Sequence, residues 1–141
     1  MLQVAFIREN KLEVTKRLSK RLDHAEETVE KVLALDASRR NIQTQLDTAA
    51  ADLNTRSKEI GTLFKSGQAE KANLLKQKTA DLKEQKATLT EELNTTAQEL
   101  QQLLYQIPNL PHDSVPVGNS DEDNEEVFRH GAIPKLHSDA K

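Results

Sequence analysis

Two long stretches of this chain repeat mostly apolar residues at alternating intervals of three and four, and this spacing restricts the fold more than any other feature. Such spacing places the repeated side chains on one narrow stripe of an α-helix, as in a coiled coil. The stretches therefore predict two long amphipathic helices. The first stripe consists of Ala25, Thr28, Val32, Leu35, Arg39, Ile42, Leu46, Ala49, Leu53, Arg56, Ile60 and Leu63, and the second of Ala72, Leu75, Thr79, Leu82, Lys86, Leu89, Leu93, Thr96, Leu100, Leu103 and Ile107.

The residues between the two stripes favour a chain reversal. Residues 66–68 interrupt the repeat, and Gly67 can take the left-handed conformation that ends a helix. A reversal there pairs the stripes antiparallel, with Leu46 opposite Leu89. Each buried leucine contributes about 1.5–3 kcal/mol, so the paired stripes can offset the ordering of two helices that are marginal alone. We therefore predict an all-α fold, a long antiparallel two-helix coiled-coil hairpin over residues 25–106.

Local signals mark both ends of the predicted hairpin. Asp23 and Glu26 have the spacing of a capping box before the first long helix. Pro108 lacks an amide hydrogen and disfavours helical geometry at Ile107, so the second helix should end at about Gln106. The chain beyond should be extended.

Apolar residues before the hairpin predict one or two short helices that fold back on its base. They are Leu2, Phe6, Ile7, Leu12, Leu18 and Leu22, and the hairpin offers them Val29, Leu33 and Leu104 as a surface. Three segments follow from this reading. Residues 1–24 form the short helices, residues 25–106 the arm, and residues 107–141 an extended acidic linker.

Composition fits an elongated protein better than a compact one. Hydrophobic residues make up 35% of the chain and aromatic residues 3%, which is lean for a globular core. The absence of cysteine excludes disulfides and thiolate chemistry and is compatible with a reducing compartment. The N-terminal sequence MLQVAFIREN has no apolar run long enough for a signal peptide or a membrane span. We expect a cytoplasmic protein with no membrane partner.

Charged residues are unevenly distributed, which the net charge of −3 conceals. Residues 54–86 carry eight Lys and Arg residues against four Asp and Glu residues. Lys58 and Lys65 fall seven apart on the outer face of the first helix, and Lys76 and Lys83 flank the second stripe. These basic stripes predict contacts with phosphates. The alternative is an ordinary solvated coiled-coil surface.

Neither the histidines nor the acidic cluster near the C-terminus predicts a metal or catalytic site. The four histidines lack metal-ligand spacing, and they are His24, His112, His130 and His137. Consecutive loop carboxylates usually stay hydrated, as we expect for Asp121, Glu122, Asp123, Glu125 and Glu126. We expect no metal, no cofactor and no catalytic residue in this chain.

Three sequence blocks resemble bacterial seryl-tRNA synthetases. They are FIREN at residues 6–10, LDASRRNIQTQLDTAAADLNTRSKEIG at residues 35–61 and IPNLPHDSVPVG at residues 107–118. Heptad spacing alone would not generate the matching positions of the middle block, which are Leu35, Asp36, Arg39, Arg40, Gln43, Leu46, Asn54, Ser57, Lys58, Ile60 and Gly61. Two positions depart from the family, with Lys11 where proline is common after the REN triplet and His130 where tryptophan is more usual before glycine.

The resemblance implies the N-terminal tRNA-binding arm of a serine–tRNA ligase, a class II aminoacyl-tRNA synthetase. Such an arm holds the long variable arm of serine tRNA on the other subunit of a homodimer, and places the acceptor end in the active site. The chain stops at Lys141, where the resemblance implies that the catalytic domain begins. We therefore expect the ATP and serine sites to be missing and this chain to be inactive alone. ATP and Mg²⁺ are implied for the parent enzyme.

The resemblance and the lysine pattern together nominate nine residues for contact with tRNA. They are Arg40, Asn54, Ser57, Lys58, Lys65, Lys71, Lys76, Lys78 and Lys83. We expect recognition by shape and phosphate contacts, because an A-form stem is read mainly through its backbone. Arg39 lies in the stripe and is expected to be structural. Ser57 and Gly61 would let either the neighbouring helix or an RNA backbone approach closely, and both alternatives stay open.

A second function class shares many of these features. A structural coiled-coil scaffold or chaperone-like arm without RNA specificity would have the same heptads and the same polar surface. It would not require the LDASRRNIQ block, the excess of positive charge in residues 54–86 or the IPNLPHDSVPVG exit. These three features favour the RNA-binding arm.

Overall fold

The computed structural model describes residues 2–118 and 120–132, and it is all-α over those residues. Two short helices, α1 (Val4–Glu9) and α2 (Lys11–Leu18), precede two long ones, α3 (Ala25–Lys65) and α4 (Ala69–Gln106). A short 3-10 helix follows at Asp121–Asp123. α3 has 41 residues and α4 has 38, so each extends about 60 Å at 1.5 Å per residue. The predicted helical hairpin is confirmed.

The buried stripes of the hairpin follow the predicted spacing. Every predicted position of the first stripe is buried or half-buried, and so is every position of the second except Lys86. Lys86 is exposed, as a long charged side chain at the edge of an apolar seam should be. Thr79 is 4% exposed, and its hydroxyl donates a hydrogen bond to the Leu75 carbonyl at 2.6 Å, which satisfies the buried polar group.

Surface grooves show which parts of α3 and α4 lie side by side. One groove is lined by both Ile42 and Glu92, and another by both Asp52 and Leu82. A step from Ile42 to Asp52 along α3 therefore corresponds to a step backwards from Glu92 to Leu82 along α4. This order agrees with the predicted antiparallel pairing.

The reversal between the long helices is a Schellman motif centred on Gly67. Gly67 has φ of 77°, in the left-handed region that favours glycine. Its N–H donates to the Phe64 carbonyl at 3.2 Å, and the Gln68 N–H donates to the Leu63 carbonyl at 3.0 Å. The turn thus satisfies two carbonyls at the end of α3 and sends the chain directly into α4.

The main apolar cluster lies at the base of the hairpin, where the short helices pack against it. Its buried members are Ile7, Val14, Leu18, Ala25, Val29, Val32, Leu100, Leu104 and Ile107. The prediction was wrong for Leu12, which is 86% exposed, and for Phe6, which is 39% exposed. The helix breaks at Asn10, so α2 begins in a new phase and turns Val14 inward in place of Leu12.

The predicted capping box at the start of α3 is also wrong. The N-cap residue is His24, and it makes no side-chain capping hydrogen bond. The turn that leads into α3 has the Ala25 N–H donating to the Leu22 carbonyl at 3.2 Å, which leaves Asp23 one residue before the cap. Glu26 still lies in the first turn, where a negative charge complements the helix dipole.

The segment after α4 is extended but held against α2. α4 ends at Gln106 as predicted, and Ile107 has an extended ψ of 120°. The Arg17 Nε donates to the Pro111 carbonyl at 2.9 Å, and the Lys20 Nζ donates to the carbonyls of Asp113 and Val115 at 2.7 and 3.0 Å. The start of this segment is therefore fixed to the base of the hairpin. That residues 107–141 link to a further domain stays a prediction.

None of the helices within residues 2–118 and 120–132 is both long enough and apolar enough to span a membrane.

Candidate nucleic-acid interface

The distal half of the hairpin carries lysines without acidic partners. All eight predicted contact residues between Asn54 and Lys83 are exposed. Among the described residues, salt bridges involve basic residues of the base and of the C-terminal segment, and no lysine from Lys58 to Lys86 takes part in one. Lys71 donates instead to the Gln68 amide oxygen at 2.9 Å. The positive charges of the distal arm are therefore open to an external anion.

The predicted lysines of α4 divide between two sides of the hairpin. A groove lined by Gln45, Asp52 and Gln85 marks one side. Lys71 and Lys78 precede Gln85 at intervals of seven residues, so they share that side. Lys76 and Lys83 directly follow the stripe residues Leu75 and Leu82 and lie on the opposite side.

The two sides differ in charge. On each helix, the residues that directly follow a stripe residue lie on one side of the stripe. Because the two helices run in opposite directions, these residues of α3 and α4 lie on the same side of the hairpin. We call this side the lysine face, and it consists of Asn54, Ser57, Gly61 and Phe64 from α3 with Asn73, Lys76, Ala80 and Lys83 from α4. We call the opposite side the mixed-charge face, and it includes Asp52 and Glu59 from α3 with Lys71, Lys78, Asp81 and Gln85 from α4. Lys58 and Lys65 lie between the two faces, on the side of α3 that points away from α4.

Gly61 lies on open surface. A Cβ atom placed there would meet no heavy atom within 4 Å, so the neighbouring helix does not approach at this point. Of the two alternatives for Gly61, close helix packing is therefore wrong. A glycine inside a helix costs about 0.5–1 kcal/mol relative to alanine, and here no tight packing requires one. The Ser57 hydroxyl donates to the Leu53 carbonyl at 2.7 Å and so is tied back onto its own helix.

Arg40, the remaining candidate, lies at the base of the arm in a cluster of ion pairs. Asp36 is 2% exposed and accepts hydrogen bonds from three arginines. Arg8 reaches it at 2.8 Å, Arg39 at 3.0 Å and Arg40 at 3.1 Å. Arg39 therefore has the structural contact expected of it. Arg40 is 18 residues before Lys58, so the two are about 27 Å apart along the helix.

The pKa of the Asp36 carboxyl reflects these contacts. Burial acts to raise its pKa, but the hydrogen bonds from Arg39 and Arg8, with the charges of Arg39 and Arg40, outweigh burial and hold it below the ordinary 3.8. Asp36 is thus ionised in the folded protein at neutral pH. In the sequence, Arg8 and Asp36 lie in two separate blocks that carry the family resemblance, but nothing there indicates that the two residues meet.

The acidic cluster near the C-terminus is exposed and partly ordered. Asp121–Asp123 forms the 3-10 helix, and Ser120 donates its N–H to the Asp123 carboxylate at 3.1 Å. The hydrated, extended linker expected here therefore contains one capped turn. In residues 2–118 and 120–132 no three His, Asp or Glu side chains are grouped to hold a metal ion. His137 lies outside the described residues.

Comparison with known proteins gives consistent matches. A family model described as the seryl-tRNA synthetase N-terminal domain matches residues 1–111. The serine–tRNA ligase of Caldanaerobacter subterraneus subsp. tengcongensis is 42% identical over 141 residues, covering all of this chain and 32% of that protein. The serine–tRNA ligase of Akkermansia muciniphila is 35% identical over 138 residues, covering 98% of this chain and 32% of that protein.

A solved structure agrees with the fold as well. The crystal structure of seryl-tRNA synthetase from Pyrococcus horikoshii complexed with ATP matches with a TM-score of 0.75 and 29% identity. The match covers 87% of this chain and 27% of that one. The chain spans about a third of the length of the curated relatives it matches.

Proposed function

This chain belongs to the family of seryl-tRNA synthetase N-terminal domains, and we propose that it is the tRNA-binding arm of a serine–tRNA ligase. The observation that carries the proposal is the distal hairpin, whose exposed lysines form no salt bridge within the described residues. An elongated hairpin with an excess of positive charge in its distal half, residues 54–86, fits a long RNA stem. We propose the long variable arm of serine tRNA as that stem.

The contacts on the RNA are phosphates and not base edges or stacked bases. Phe64 is the one aromatic residue between Ala25 and Leu104, so the arm has little surface on which bases could stack. Lysine binds phosphate as a point charge and carries no base information when it does so. A helical RNA stem is read through its backbone and shape, which matches this set of side chains.

The arm serves a catalytic domain of the same ligase. It positions serine tRNA so that this domain can transfer serine to it at the expense of ATP, with ATP and Mg²⁺ bound there and not on the arm. In a homodimer the arm reaches the tRNA held by the other subunit. On this proposal residues 1–141 bind tRNA in the cytoplasm but do not catalyse serylation alone.

The test is a binding titration with labelled serine tRNA at several salt concentrations. Each lysine–phosphate contact contributes about −0.7 to −0.9 to the slope of log K against log salt. Four contacts give a slope of about −3, so a fourfold rise in salt should weaken binding about 60-fold. The control is the same tRNA with its variable arm shortened, which should bind at least tenfold more weakly. Equal binding of the two RNAs would favour the scaffold alternative.

A further inference from the structure

We propose that RNA lies against the lysine face of the arm and not against its mixed-charge face. This inference rests on the proposed function, and it specifies which side of the hairpin the tRNA occupies. The family match does not distinguish the two sides, because residues of both belong to the matched region.

Charge is the first reason. The lysine face carries Lys76 and Lys83 and has no acidic residue among its eight members. The mixed-charge face sets Lys71 and Lys78 beside three carboxylates, those of Asp52, Glu59 and Asp81. A phosphate chain on that face would meet repulsion as well as attraction, whereas on the lysine face every ionised side chain attracts it.

Access is the second reason. Gly61 leaves open space at the centre of the lysine face, and Ser57 draws its hydroxyl back to the Leu53 carbonyl. Ala80 adds a short side chain from α4. The long lysine side chains therefore lie beside positions with short side chains. An RNA stem can approach the helix backbones there, and the lysines can reach its phosphates.

The base of the arm extends the same side. Asp36 directly follows the stripe residue Leu35 and precedes Ser57 by three intervals of seven, so its cluster lies on the side of the lysine face. Three arginines surround that one carboxylate, which leaves two positive charges uncompensated within the cluster. Arg40, the most exposed of the three at 52%, can face the same RNA about 25 Å along the helix from Ser57. Asp47, seven residues after Arg40, is the one acidic side chain of α3 between the cluster and Ser57 on this side, and it accepts a hydrogen bond from Gln43 at 2.9 Å.

The experiment compares two double substitutions on α4 in the chain of residues 1–141. K76Q/K83Q removes two charges from the lysine face, and K71Q/K78Q removes two from the mixed-charge face. Both pairs are seven residues apart on the same helix and change the net charge equally, so long-range electrostatics are matched. Circular dichroism should show the same helical content in both, because none of these lysines lies in the buried stripe.

We expect K76Q/K83Q to weaken binding to serine tRNA at least tenfold at 100 mM salt and to reduce the salt slope by about 2. K71Q/K78Q should change the affinity less than threefold and leave the slope unaltered. Three results would refute binding at the lysine face, provided that the arm still binds serine tRNA. They are equal losses of affinity in both variants, a larger loss in K71Q/K78Q, or no loss in either. If the unmodified chain fails to prefer serine tRNA over the short-arm control, the proposed function itself fails.

Discussion

Replacing Gly61 by alanine should make the arm more stable and a poorer RNA binder at the same time. The new methyl group meets no heavy atom within 4 Å, so it adds no clash. Removing a glycine from a helix interior contributes about 0.5–1 kcal/mol to the free energy of unfolding. For a chain of 141 residues that corresponds to a rise in Tm of about 2–4 °C. If the RNA backbone rests on the lysine face, the same methyl group holds it away and should weaken binding about threefold to tenfold.

Gly67→Ala is the matched control for this substitution. Its Cβ would also meet nothing within 4 Å, but its φ of 77° is a left-handed conformation that alanine adopts at a cost of about 1–2 kcal/mol. The same chemical change, six residues away, should therefore lower Tm instead of raising it. Thermal unfolding followed by circular dichroism measures both effects, and fluorescence anisotropy with labelled serine tRNA measures binding. A Gly61→Ala variant that unfolds at lower temperature than the parent would refute the stability reasoning, and one that binds as tightly would refute close approach of the RNA.

Three further predictions concern the base of the arm. Asp36→Asn should lower the free energy of unfolding by about 1–3 kcal/mol in denaturant titrations. This loss is smaller than for a fully buried ion pair, because the arginine partners of Asp36 are 37–52% exposed. The pKa of Asp36 is lower in the folded protein than in the unfolded chain. The stabilisation by its ionised carboxylate is therefore complete above the unfolded pKa of about 3.9 and disappears as pH falls through the lower folded value. The parent and the Asp36→Asn variant should thus converge in stability towards pH 2. A difference that persisted unchanged at pH 2 would show that charge is not its source. Val14→Ala should cost about 2 kcal/mol, whereas Leu12→Ala should change stability by less than about 0.5 kcal/mol, and comparable losses would contradict the observed phase of α2.

The hairpin could be predicted from the sequence because its determinants are local and periodic. The 3,4 spacing fixes which side of each helix is buried, and burial follows it along both long helices. Gly67 and Pro108 act on their own backbone and immediate neighbours, so the turn and the end of α4 could be located to the residue. The short helices were harder, because α2 starts a new phase after Asn10 and no long repeat exists to reveal it.

The candidate site could be predicted only in part. The composition of residues 54–86 indicated the basic character of the distal arm, and the stripe spacing placed four lysines relative to their own helices, but the nine candidates were not assigned to the two sides of the hairpin. That separation depends on how α3 and α4 meet, and the groove shared by Asp52 and Gln85 shows it. The Asp36 cluster escaped prediction because Arg8 is 28 residues from its partner, a separation that no helical periodicity connects.

The basic residues of the two ends of the arm contribute to different properties. At the base, Arg8, Arg39 and Arg40 are bound to a buried carboxylate, so their charges help to hold α1 on α3. On the distal lysine face, Lys76 and Lys83 form no salt bridge among the described residues and contribute little to folding. The excess of positive charge in residues 54–86 raises the repulsion among the side chains of the distal arm, which a bound polyanion removes. Apart from Arg40, which binds Asp36 and can also face RNA, stability and RNA affinity should therefore respond to different residues, with substitutions at Asp36 changing mainly the first and substitutions at Lys76 and Lys83 the second.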